Sequence, residues 1–277
     1  MLKTRLLTSG FAGLGVIGAI LWLPALFIVA LFTLALLFVA WEWARLAGLA
    51  NRTEAGLYAL ACALLSLMPA GVLAPGLGLA LPWFALVACT WLVVTLWLLL
   101  GAQPRTSAHG RRWGWLLLGL LLVPALTGSL CWLVFAADFP RGIVLYAIAL
   151  VWAADSGAYF VGRACGRHKL APGISAGKTW EGVAGGLAGV AVFASIGGIL
   201  IGLPPTLLVL WVALAVVAGA LSIVGDLLES VLKREAGVKD SGNLLPGHGG
   251  LLDRTDSVMA ALPIMALGLA WFPGVGT

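Results

Sequence analysis

The chain has 277 residues, 62% of them hydrophobic and 10% charged, with a mean hydropathy of +1.08 and a formal net charge of +5. Soluble domains carry about 25% charged residues, so this chain cannot clothe a water-facing surface, and it holds no soluble basic domain that could serve nucleic acid. In so apolar a chain a basic excess is first a topology signal and only second a hint of anionic ligands. Its cysteines, Cys62, Cys89, Cys131 and Cys165, form no CxxC pair and read as small packing residues rather than metal or redox groups.

The first residues imitate a signal peptide, with Lys3 and Arg5 before an apolar run. No A-x-A-like site follows, so the segment reads as a retained first span. The apolar stretch over 10–40 is too long for one span of about 20 residues and is interrupted by Pro24. It predicts one helix over roughly 6–23 and a second over roughly 25–44. Further runs lie at roughly 55–73, 79–101, 113–136, 142–163, 181–203, 205–232 and 256–273. The expected fold is therefore all-α, a polytopic integral membrane protein with about nine transmembrane helices.

Basic residues test that count. With the N-terminus in the cytoplasm, every Lys and Arg except Arg141 falls in an inside segment. Merging the first two helices would move all later basic loops outside, so the positive-inside rule favours both the split at Pro24 and a cytoplasmic N-terminus. Trp41, Trp43, Trp113, Trp115 and Trp271 lie near span ends, where amphipathic rings favour the interface. Gly182, Gly186 and Gly185, Gly189 recur at four-residue spacing, which suits close helix packing.

Acidic residues divide the chain. Only Glu42, Glu54 and Asp138 lie in the first half; Asp155, Glu181, Asp226, Glu229, Glu235, Asp240, Asp253 and Asp256 follow. Residues 1–140 thus read as a transmembrane scaffold and 141–277 as a transmembrane catalytic region. In the sixth predicted helix Asp155, Tyr159 and Arg163 share one face; in the eighth, Ser222, Asp226, Glu229, Ser230 and Lys233 form a stripe. Such stripes cannot face lipid and must line the bundle interior or a wet cavity.

Two inside loops, 165–182 and 233–257, are rich in Gly, basic and polar residues. Loops of this kind can aim backbone N–H groups and cations at phosphate oxygens. GISAGKT at 173–179 resembles a Walker A loop but fails on spacing, since its first Gly would fall on Pro172, and no strand is expected before it. Lys178, with Thr179 as an N-cap, can still meet a phosphate at a helix start. Asp226, Asp253 and Asp256 are the metal candidates, hard oxygen ligands that suit Mg²⁺. His248, between glycines, is a candidate phosphate donor. His109 and His168 read as solvated or headgroup contacts.

The stretch SVLKREAGVKDSGNLLPGHGGLLDRTDS, 230–257, resembles the signature of the phosphatidate cytidylyltransferases, or CDP-diacylglycerol synthases. Ser230, Lys233, Arg234, Lys239, Asp240, Pro246, His248, Gly249, Gly250, Asp253, Arg254 and Asp256 match it in register. DSGAYFVGR and ISAGKTWEG upstream also resemble the family, with Ala176 where many members have Pro and Gly173 where a basic residue is common. The first half resembles it only in hydropathy, the MLKTRL start and the WEW at 41–43.

The resemblance implies that CTP and phosphatidic acid give CDP-diacylglycerol and pyrophosphate, in phospholipid biosynthesis. It implies Mg²⁺ with a K⁺ companion, and a homodimer. It implies metal binding by Asp226 and Asp253. It also matches Lys178 to the family's Lys before T-W-E-G. On this reading Lys178, Asp226, Lys233, Arg234, His248, Asp253 and Arg254 are the expected catalytic groups. Asp155, Ser175, Lys178, Ser230, Lys239 and His248 are the expected substrate contacts.

The inventory suits that chemistry. A phosphate monoester is already an anionic nucleophile, and no Ser-His-Asp or Cys-His set is present, so cations and positioning must carry the reaction. The expected location is a bacterial-type inner membrane with the site at the cytoplasmic face. A CTP-dependent polyprenol or phytol-type kinase and an ion-coupled transporter are the alternatives. The first would release a nucleoside diphosphate. The second would need a polar path across the whole bilayer, and weak similarity between the two halves that the sequence lacks.

Overall fold

The computed structural model describes residues 13–69, 78–104, 109–135, 141–244 and 249–272, without the side chains of 109–111 and 135. Among these residues the chain forms helices α1 (Gly13–Trp22), α2 (Ala25–Leu46), α3 (Arg52–Ser66), α4 (Ala80–Leu99), α5 (His109–Phe135) and α6 (Gly142–Cys165). Strands β1 (Lys169–Ala171) and β2 (Ser175–Thr179) follow, then α7 (Trp180–Leu200), α8 (Pro205–Glu235) and α9 (Leu252–Ala270).

The break at Pro24 is real: its ψ of 147° is extended, α1 stops at Trp22, and α2 restarts at Ala25. Proline lacks the N–H a helix interior needs and pushes the residue before it out of the α region.

Among the described residues six helices are long and apolar enough to cross a membrane: α2, α4, α5 over Arg112–Val134, α6, α7 and α8. The expected count of about nine is not reached on that measure. α3 has 15 residues rather than the expected 55–73 run; at 1.5 Å per residue it extends about 23 Å, against about 30 Å of hydrocarbon. α9 begins at Leu252 rather than 256 and so carries Asp253, Arg254 and Asp256 in its opening turns.

Lipid tails are as apolar as leucine, so packing and interhelical hydrogen bonds, not hydrophobic burial, join such helices. α6 and α7 make the most intimate pair. A Cβ added at Gly157 would sit 2.5 Å from the Gly185 carbonyl oxygen, one at Gly186 2.8 Å from that of Ala154, and one at Gly182 3.1 Å from that of Ala158. The expected glycine stripe is therefore a backbone-to-backbone seam. On the other side, Trp43 Nε1 donates to the Trp115 carbonyl and Tyr58 Oη to the Leu116 carbonyl, both at 2.8 Å. A side chain at Gly119 would collide with both donors, so that glycine opens α5 to α2 and α3. α9 packs against α5, α4 and α2 as well as α8, and one apolar cluster runs through both halves of the chain.

One element departs from an all-helical reading. β1 and β2 form an antiparallel ribbon, with Lys169 opposite Thr179 and Ala171 opposite Ser175. A strand thus does precede GISAGKT, contrary to expectation. Most of that segment is itself strand β2, not a loop wrapped around a helix start.

Candidate active site

α8 has 31 residues, about 46 Å at 1.5 Å per residue, and so outlasts a bilayer core of about 30 Å. Its polar stripe lies in its later turns, from Ser222 to Lys233, where the helix can leave hydrocarbon. The ribbon delivers a second cation to the same place. Thr179 ends β2 in extended backbone and accepts from Gly182 N at 3.1 Å, capping α7 as expected. Glu181 accepts from the N–H groups of Arg167 and His168 and lies 2.6 Å from His168 Nδ1, which seats the base of the ribbon on α7.

Lys178 then reaches α8: its Nζ is 2.6 Å from Asp226 Oδ2. Ser230 Oγ donates to Asp226 Oδ1 at 3.3 Å. Asp226, Glu229 and Asp256 each offer a carboxylate oxygen within 4.8 Å of the others. Lys233 Nζ lies 2.5 Å from Glu229 Oε2 and 2.6 Å from Asp253 Oδ1. Asp253 Oδ2 accepts from Ser241 N at 2.9 Å and Gly250 N at 2.8 Å. Two ammonium groups therefore face four carboxylates, an excess of two negative charges when all are ionised. Glu229 is fully buried, and among the described residues its Oε1 finds no hydrogen-bond donor. A buried, unsatisfied carboxylate oxygen is costly. The cluster has the makeup of a site for a hard divalent cation: oxygen donors, no sulfur or imidazole among the described residues, and a charge excess that a divalent ion cancels.

Beside this cluster lies a cavity of about 590 Å³. Asp155, Tyr159 and Arg163 from α6, Lys178 from the ribbon and Asp226 from α8 line it. The stripes read on α6 and α8 thus meet at one cavity. Arg163 donates to Tyr159 Oη at 2.7 Å along its own helix.

The remaining expected site residues are more scattered. Ser175 is half-buried in β2, opposite Ala171, and is not among the cavity-lining residues. Arg234 donates to the Val238 carbonyl at 3.2 Å, closing the end of α8. Lys239 and Arg254 are exposed. His248 and Pro246 lie outside the described residues. Of the three expected metal acids, the structure brings Asp226 and Asp256 together with Glu229, and gives Asp253 to Lys233 and two backbone N–H groups.

One residue placed with the scaffold reaches the site. Glu42 of α2, buried at 7% exposure, accepts from Leu251 N at 3.1 Å, Leu252 N at 2.8 Å and Ser241 Oγ at 2.9 Å. The signal that could have found it is an ionisable residue between two tryptophans in an apolar run, a functional hint by default. Glu229 was visible in the stripe on α8, but not as a companion of Asp226 and Asp256.

A model of the cytidylyltransferase family matches residues 3–272. The chain is 43% identical over 255 residues to a phosphatidate cytidylyltransferase of Pseudomonas aeruginosa, covering 91% of this chain and 89% of that one. It is 52% identical over 129 residues to the enzyme of that name from Haemophilus influenzae, covering 45% and 44% of the two chains. It is 49% identical over 131 residues to that of Bacillus subtilis, covering 47% and 48%. A match that runs through both halves, over a cluster of acids and lysines beside a wet cavity, places this chain in the cytidylyltransferase family.

Proposed function

We propose that this protein is a phosphatidate cytidylyltransferase, transferring CMP from CTP to phosphatidate to give CDP-diacylglycerol and pyrophosphate. The observation that carries the reading is the cluster of Lys178, Asp226, Glu229, Lys233 and Asp253 at the polar end of α8, whose Lys178–Asp226 pair lines the cavity. CTP arrives from water and the lipid headgroup from the bilayer, so a site at the end of the apolar helices suits both.

The nucleophile is a phosphate oxygen of phosphatidate. It forms a bond to the α-phosphorus of CTP as the bond from that phosphorus to the β-phosphate bridging oxygen breaks and pyrophosphate leaves. No base need take a proton, because the attacking group is already an anion. Lys178, with about a quarter of its side chain exposed at the cavity, can exchange its Asp226 partner for a phosphate oxygen. Arg163 adds positive charge to the cavity lining. Lys233, held from two sides, keeps Glu229 and Asp253 in place. Asp226, Glu229 and Asp256 would hold Mg²⁺, with Asp253 beside them across Lys233 and a K⁺ companion in the same reading. The ion would neutralise phosphate oxygens and stabilise the leaving pyrophosphate. Ser230 orients Asp226, and Asp155, in the cavity lining, is proposed as a substrate contact. Ser175, Arg234, Lys239, His248 and Arg254 remain proposed as contacts from the two loops.

The same reading has about nine spans, a cytoplasmic N-terminus and active site, an inner-membrane location and a homodimer. Basic residues concentrated in one set of segments support the orientation. Acids and lysines gathered at one end of α8, rather than along its length, favour an enzyme over a transporter.

The test is direct. Purified protein with phosphatidate, Mg²⁺ and CTP should release equal amounts of pyrophosphate and CDP-lipid. ATP should not replace CTP, and Asp253→Asn should lose the activity. A nucleoside diphosphate product would instead identify a kinase.

A further inference from the structure

α9 starts without a cap of its own. Its N-cap position is Leu251, which makes no side-chain hydrogen bond to the helix, and Gly250 precedes it. A helix start leaves four N–H groups without intrahelical partners, and this one is where Asp253 and Asp256 are mounted.

We infer that Glu42, on α2, is a positioning residue for the catalytic carboxylates: it supplies the missing cap of α9 from across the fold and thereby sets where Asp253 and Asp256 stand. The inference rests on the cytidylyltransferase reading above. Both Glu42 oxygens are used, Oε1 on Leu251 N and Oε2 on Leu252 N. A carboxylate at this helix end also meets the positive pole of the helix dipole.

Ser241 links this cap to the site. Its hydroxyl donates to Glu42 Oε2 and its N–H to Asp253 Oδ2, both at 2.9 Å. Gly250 donates its N–H to Asp253 from the other side. Two carboxylates from opposite halves of the chain thus share one short stretch of backbone. Its glycines leave room for them: a Cβ at Gly242 or Gly250 would collide with the Glu42 carboxylate. At Gly249, φ is +81° and a Cβ would meet Asp253 Oδ2 at 2.5 Å. Glu42 is buried, and its bonding partners among the described residues are neutral, two backbone amides and a hydroxyl. A carboxylate withdrawn from water needs such donors, and these ones are the backbone of the catalytic loop.

The experiment uses the full-length protein in detergent. Glu42→Gln, Glu42→Asp and Ser241→Ala are compared with wild type for kcat, KM for CTP, unfolding temperature and the rate of trypsin cleavage after Lys239. A loop displaced by about 1 Å loses about 10²-fold in rate. Glu42→Gln should therefore lose about that much kcat with KM for CTP within about threefold, and should be nicked faster. Glu42→Asp should recover part of both, because it keeps two acceptor oxygens. Ser241→Ala should fall between wild type and Glu42→Gln in both readouts, and it decides the matter if the Glu42 variants fail to fold. Unchanged kcat in folded Glu42→Gln, or lost kcat with an equally protected loop, overturns the inference. Trypsin protection is read without turnover, so an absence of CDP-lipid from wild type would sink the functional reading and leave this one decidable.

Discussion

Lys178 Nζ and Asp226 Oδ2 lie 2.6 Å apart, the ammonium at the end of the β-ribbon and the carboxylate on α8. Their side chains keep 24% and 35% of their exposure. An ion pair so open to water adds at most about 1 kcal/mol to stability, and the proposed function gives it a role in chemistry instead. Lys178→Met should lower kcat by about 10²- to 10³-fold, the loss typical of one electrostatic stabiliser. The unfolding temperature should hardly move. CDP-lipid formation and a melting curve on the same preparation check this; parallel losses in both would make the pair structural.

Chelation should abolish activity, and added Mg²⁺ should restore it. The acid cluster ties that requirement to named residues. Asp226→Asn, Glu229→Gln and Asp256→Asn should each raise the Mg²⁺ concentration for half-maximal rate by about tenfold or more, about 1.4 kcal/mol of lost ion affinity per factor of ten. A Mg²⁺ titration unchanged in all three would remove the cluster from any role in holding the ion.

The seam between α6 and α7 gives a stability prediction. Alanine at position 157 gains up to about 1 kcal/mol of helix propensity over glycine. Its Cβ, however, meets the Gly185 carbonyl oxygen at 2.5 Å, and a backbone carbonyl cannot turn aside. Overpacking of that kind costs about 1–3 kcal/mol, so Gly157→Ala should destabilise on balance. Gly114, with nothing within 4 Å of an added Cβ, is the control and should be neutral or stabilised. Thermal unfolding of the two variants settles the sign.

Native cysteines can read the orientation. Cys165 is exposed at the end of α6, Cys89 is exposed midway along the apolar α4, and Cys62 and Cys131 are buried. A membrane-impermeant maleimide should label Cys165 in inside-out vesicles and spare it in right-side-out ones. The reverse pattern would invert the proposed topology.

What the sequence revealed, and what it hid, follows from where each signal sits. Asp155 and Asp226 stand out because a charge in an apolar run is expensive, and helical spacing puts each on a polar stripe; that the two stripes meet at one cavity is a tertiary fact that spacing does not encode. Pro24 and Thr179 act through local backbone chemistry, so the helix break and the cap on α7 were readable. The β-ribbon was not: Ser-Ala-Gly-Lys-Thr has weak strand propensity, and three residues of β1 form no alternating pattern. Lys233 bridges Glu229, four residues away on its own helix, and Asp253, twenty residues on, and helical spacing encodes only the first of these contacts. The early start of α9 was hidden for a plainer reason. Its cap comes from Glu42, 210 positions before Leu252, and its partners are backbone amides that look the same in any sequence.

That long reach orders events in time. During synthesis α2 enters the bilayer long before residues 241–252 exist, so Glu42 must wait there with none of these donors. When α9 follows, it packs against α2, α4 and α5, which precede it in the chain. The earlier helices can be in place while Asp253 and Asp256 are still unplaced. A nascent chain that has not yet added α9 therefore lacks two of the four carboxylates of the cluster.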